Sequence, residues 1–161
     1  MKNYSTEIKW GLIFSLVAMG WMYFEKAMGW HGPNIEQHPT YTNLFAVLAI
    51  AVFVFALRDK KHRDYGGHMT WRQGFFSGAL ISLVVAVLSP LAQWLTHTVI
   101  SPEYFPNVIA YSVAQGYYET EAAAAAFFNL QSYMLQGAIG GMVMGLLTSA
   151  IVPLFLRSRP S

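Results

Sequence analysis

Residues 71–100 read WRQGFFSGALISLVVAVLSPLAQWLTHTVI, and after Arg72 the stretch contains no Asp, Glu, Lys or Arg. A helix crossing about 30 Å of hydrocarbon needs about 20 mainly apolar residues, and this block exceeds that length. Its few small and polar residues are not scattered. Gly78, Ser82, Ala86, Ser89, Gln93 and His97 follow one another at steps of three or four, which places them on one face of a helix and leaves the others apolar. The reading is a membrane span with one inward stripe that turns from small to polar along its length.

Working outward, residues 8–28, 41–57 and 127–156 read as three further spans of the same kind. The chain of 161 residues is 55% hydrophobic and 11% charged, where a soluble domain carries about a quarter charged residues. Helices are the expected form because every backbone polar group in lipid must find its partner within the segment. The alternating ten-residue strands of a membrane barrel are absent. Cysteine is absent too, which excludes disulfides, thiolate metal sites and a cysteine nucleophile.

The cations set the expected orientation. Lys2 and Lys9 precede the first span, Arg58, Lys60, Lys61, Arg63 and Arg72 lie between the second and third, and Arg157 and Arg159 follow the fourth. Only Lys26 falls on the other side. By the positive-inside rule both termini are cytoplasmic. A cleaved signal peptide is disfavoured because the first block is long and no small-residue cleavage site follows it. Nucleic acid is not an expected partner, since the basic loop is short and holds Asp59 and Asp64. In that loop Thr70 and Gln73 form a T-x-x-Q capping box that starts the third span at Trp71.

The outer connection between the third and fourth spans carries three Glu and no Lys or Arg. A short amphipathic interfacial helix is predicted there from Pro106 to about Gln115. Thr120 is expected to cap a helix that runs through the alanine tract straight into the fourth span. The whole reading is one all-α polytopic domain over residues 1–161.

Polar residues within the spans gather toward the outer side: Glu25, Asn43, Gln93, His97, Asn129 and Gln136. Two readings of this cluster stand. It is either interhelical packing glue, the favoured one, or a vestibule for a small polar ligand, an ion or protons, splayed by a kink at Ser89-Pro90. Glu25 and its neighbour Lys26 close an otherwise apolar run. Lys26 can snorkel to the interface, whereas Glu25 should turn inward to Gln93, His97, Asn129 or water. On the fourth span Gly137, Gly141, Gly145 and Ser149 recur every four residues, a small-xxx-small series that admits a close helix. Its partner is either Gly78, Ser82 and Ala86 of the same chain, the favoured reading, or a second copy. In the first outer loop His31, Glu36 and His38 are residue types that bind zinc or copper, but their spacing matches no strong metal signature. Solvated loop side chains are the favoured reading there, and no cofactor is expected.

The stretches HPTYTNLFA, YGGHMTWRQGFFSG, LSPLAQ, PEYFPNVI and GGMVMGLLTSAIV, taken in this order, resemble a family of small bacterial four-span membrane proteins catalogued as a domain of unknown function, the 4199 family. The resemblance implies an inner-membrane protein and supplies no reaction or functional residue. With no catalytic motif, the expected role is non-enzymatic. It is that of a self-associating component or a small subunit of a larger membrane complex, and the alternative is a small transporter or ligand-binding protein that uses the outer polar cluster.

Overall fold

The computed structural model of the protein describes residues 4–158. Lys2 and Arg159, counted among the cations above, lie outside the described residues. Within them there is no strand. The helices are α1 (Ser5–Ala27), α2 (His38–Tyr41), α3 (Phe45–Asp64), α4 (Trp71–Leu95), α5 (Tyr104–Ala114), α6 (Glu121–Phe127) and α7 (Leu130–Leu156). Short 3-10 turns bracket α2, and a π turn over Thr96–Ile100 extends α4.

Local chemistry explains where these helices begin and break. Thr70 Oγ1 accepts the Gln73 N–H at 3.3 Å and Gln73 Oε1 accepts the Thr70 N–H at 2.7 Å, a reciprocal cap worth about 1 kcal/mol. α4 then passes Pro90 without ending, and its irregular winding comes nearly two turns later, in the π turn. At the alanine tract the helix does not run on into the fourth span. Thr120 caps α6, but Phe128 and Asn129 leave the helical region before α7 starts. Asn129 accounts for the break. Its Nδ2 donates to Ala125 O and Ala126 O at 3.0 and 2.9 Å while its Oδ1 accepts the Ser132 N–H at 2.9 Å, so one side chain closes α6 and opens α7.

α4 and α7 make the tightest contact. A Cβ built on Gly78 would lie 2.3 Å from Ser149 Oγ, one on Gly145 2.2 Å from Ser82 Oγ, one on Gly74 2.7 Å from Pro153 Cβ and one on Gly137 2.5 Å from Ser89 Oγ. As the α4 position advances the α7 position retreats, so the two helices are antiparallel and closed by small residues of one chain. α1 lies against α4 by the same device, at Gly11 beside Val84. Phe53, Ala56, Ile81 and Val85 form the core between α3 and α4, with Trp10 and Phe14 of α1 packed on it.

The start of α1 meets the end of α3 through charges. Lys60 Nζ reaches Glu7 at 2.9 Å and Asp64 at 2.8 Å, and both Lys60 and Glu7 are buried. Asp59 pairs with Lys9 and Arg63 and accepts the Trp10 indole N–H at 2.8 Å. Three stretches, Ile35–Asp64, Trp71–Ile100 and Glu121–Leu156, are long and apolar enough to cross a membrane. The first of the four expected spans is not among these three. α1 has the length, but it carries Glu7 and Lys9 near its start and Glu25 and Lys26 near its end.

Candidate functional site

The site is built where α1 ends. Gly29, at φ +79°, turns the chain back in the left-handed region that favours glycine. The Trp30 N–H returns to Glu25 O at 3.0 Å, and Asn34 N–H bonds Gly29 O at 2.8 Å. Trp30 is held by stacking on Tyr41 at 4.5 Å between ring centres. This turn lays His31 over the last turn of α1, and the following residues bring His38, the first residue of α2, to the same place.

Glu25 is fully buried and His31 is 1% exposed. Trp21, one helical turn earlier, donates its indole N–H to Glu25 Oε1 at 2.7 Å. His31 Nε2 and His38 Nε2 both converge on Oε2, at 3.2 and 3.5 Å. The second contact is within ion-pair reach but poorly aligned, and His38 Nε2 is buried without a hydrogen-bond partner. Behind His31, Nδ1 lies 3.0 Å from the fully buried Ser101 Oγ, and Asn107 Nδ2 donates to His31 O at 2.9 Å. The loop histidines are therefore not solvated.

Tyr104 of α5 floors the site. The imidazoles of His31, His38 and His97 pack on its ring at 5.0, 5.3 and 5.2 Å between centres. Its hydroxyl meets that of Tyr133 at 3.0 Å, and burial pushes its pKa far above the usual phenol range. His97 also stacks on Phe105, donates from Nε2 to Gln93 Oε1 at 3.1 Å, and keeps its Nδ1 buried without a partner.

The structure thus brings part of the expected cluster together. Glu25 takes Trp21, His31, His38 and Thr42 as partners in place of Gln93, His97 and Asn129, while His97 and Gln93 bond each other. Asn43 is exposed and donates to Pro39 O at 2.7 Å, Asn129 serves as the cap described above, and Gln136 is exposed. Glu36 is exposed and apart from the two histidines it was grouped with; Glu25 stands in its stead. Lys26 bonds Ile100 O and lies 3.5 Å from Glu103, tying α1 to the start of α5. Sequence reasoning missed Trp21, Ser101 and Tyr104. Only Trp21 left a signal, four residues before Glu25 on one helix face.

Inward from this cluster, a cavity of about 420 Å³ lies between α1, α3, α4 and α7, mostly apolar with Asn43, Gln93 and Thr96 in its wall. Trp21 and Thr42 line it and bond Glu25, so the two spaces share these residues. Chemically, the ligand atoms of Glu25, His31 and His38 all lie within 4.8 Å of one another. Two imidazole nitrogens and one carboxylate oxygen can share a proton or hold a cation.

The described residues are thus all-helical, and three of the helices have the length and apolar composition of membrane spans. The particular family follows from sequence comparison: the profile described as "Protein of unknown function (DUF4199)" matches residues 9–158, and the chain belongs to that family. No curated protein and no solved structure matches it.

Proposed function

We propose that this chain is a four-span inner-membrane protein of a bacterium, with both termini cytoplasmic, and that it binds a small polar ligand or ion at its outer end without catalysing a reaction. The observation that carries the binding reading is the complete burial of Glu25. A carboxylate taken out of water needs an opposite charge or a full set of donors, and here it has one indole N–H, the Thr42 hydroxyl and two imidazole nitrogens. α1 supplies the fourth span in this reading, its charged residues confined to its two ends.

Binding is favoured over the role of a self-associating component because the glycine series is engaged within the chain. Gly145 and Ser149 of α7 are taken up by Ser82 and Gly78 of α4, the close approach that a second copy would otherwise use.

The absence of cysteine gives a clean background for labelling with a membrane-impermeant maleimide. In intact spheroplasts Glu36→Cys should react and His62→Cys should not; the reverse pattern overturns the orientation. For binding, native mass spectrometry of protein extracted in mild detergent should show an adduct that Glu25→Gln loses. A bare mass, together with no rise in Tm from a panel of ions and small polar molecules, would sink the binding reading.

A further inference from the structure

The geometry points to a divalent transition-metal site of the zinc class formed by Glu25, His31 and His38. The inference rests on the binding reading above and names its ligand.

The distances carry the argument. Metal–ligand bonds of about 2.0–2.1 Å in a tetrahedron place neighbouring ligand atoms about 3.3–3.4 Å apart. The two nitrogens approach Glu25 Oε2 at 3.2 and 3.5 Å, and the third edge, between the two imidazoles, is no longer than 4.8 Å. An ion among these atoms therefore needs small adjustments and no rebuilding. A hydrogen-bonded triad accounts for the contacts less fully. His38 Nε2 is buried and aimed at a carboxylate with which it makes no hydrogen bond, and a metal would use that lone pair.

The supporting groups are those a metal-ligating histidine requires. When His31 Nδ1–H donates to Ser101 Oγ, at 3.0 Å, the tautomer is fixed and Nε2 presents its lone pair toward Glu25. Trp21 occupies Glu25 Oε1 and leaves Oε2 for the ion. Charge also balances better: a divalent cation offsets a buried carboxylate that has no Lys or Arg as a salt-bridge partner among the described residues. Two nitrogens and one oxygen with no sulfur suit zinc and its neighbours in the first transition row. Three protein ligands leave a fourth position for water or another small donor. The ion would join the end of α1, the turn after it and the start of α2.

The full chain, purified in detergent, stripped with EDTA and titrated with Zn²⁺ alone, tests this directly. One equivalent should bind and raise Tm in a saturable way. Co²⁺ in its place should give the intense visible bands of a four-coordinate site. Glu25→Gln and His38→Gln should each weaken binding by at least tenfold, Ser101→Ala by about 10–100-fold, and the exposed Glu36→Gln not at all. Zinc that binds equally well in the Glu25→Gln and His38→Gln variants, but is lost with His62→Gln or His68→Gln, overturns the site. Should a variant fail to fold, the wild-type Co²⁺ spectrum still decides, since six-coordinate pale bands refute the geometry. Failure of zinc while another ion or small molecule raises Tm overturns the metal and leaves the binding reading standing; failure of every ligand overturns both.

Discussion

Replacing Gly145 by alanine tests the seam between α4 and α7 most directly. The new Cβ would lie 2.2 Å from Ser82 Oγ and 2.6 Å from Ser82 Cβ, with Ser82 Cα at 3.4 Å. Carbon atoms rest about 3.5–4.0 Å apart, so α7 must retreat by about 1 Å, a movement resisted by the neighbouring close contacts at Gly78 and Gly74. Overpacking of this kind costs about 1–3 kcal/mol, against about 1 kcal/mol returned by the better helix propensity of alanine. Gly140, five residues away on the same helix, has nothing within 4 Å of an added Cβ, so Gly140→Ala should be neutral or slightly stabilising. Reversible unfolding in mixed micelles, followed by tryptophan fluorescence, should separate the two variants by about 2 kcal/mol. Ser82→Gly should rescue Gly145→Ala, because the methyl group then merely changes sides. Equal stability of the two alanine variants, or no rescue, refutes the packing argument.

Further expectations concern the ends of the helices. Lys60→Met should destabilise by about 3–5 kcal/mol by stranding the buried Glu7 carboxylate, and Glu7→Leu in the same chain should recover much of the loss in the same unfolding assay. Thr70→Ala removes the cap of α4 and should cost about 1 kcal/mol. Tyr104 is raised by burial, so its contribution to stability is complete below the ordinary phenol range near 10 and is lost as pH rises above it. Denaturation curves of Tyr104→Phe should therefore fall less steeply than wild type above about pH 10; an identical slope refutes the assignment.

How far the sequence reveals this architecture depends on the range of each interaction. The cap at Thr70 and Gln73 is a four-residue device and is readable directly. The small residues of α4 and α7 announce two narrow helix faces, but that Gly78 meets Ser149 follows only once the helices are antiparallel in a particular register. The break at Asn129 was hidden because an alanine tract favours helix so strongly, and nothing local shows one amide serving two helix ends. Glu25 was legible as a carboxylate in need of partners. Which partners it takes depends on the turn at Gly29, a loop conformation without periodicity, so nothing in the sequence ranks the nearby His31 and His38 above polar residues of the spans. Ser101 and Tyr104 arrive from a distant connection and left no trace.

α1 is anchored at both ends by side chains that have no better place to go: Glu7 to Lys60 at its start, Glu25 to two histidines at its finish. In a bilayer such a helix behaves like a rod pinned at two heights. It is the one long helix outside the three stretches long and apolar enough to cross a membrane, so on the four-span reading proposed above its residence in lipid rests on neighbours made later in translation rather than on partitioning of its own. Expressed by itself, α1 should remain extractable by carbonate, and it should resist extraction once α3 and α4 are supplied. On the four-span proposal, the membrane position of the first helix is a tertiary property, acquired when the rest of the chain arrives.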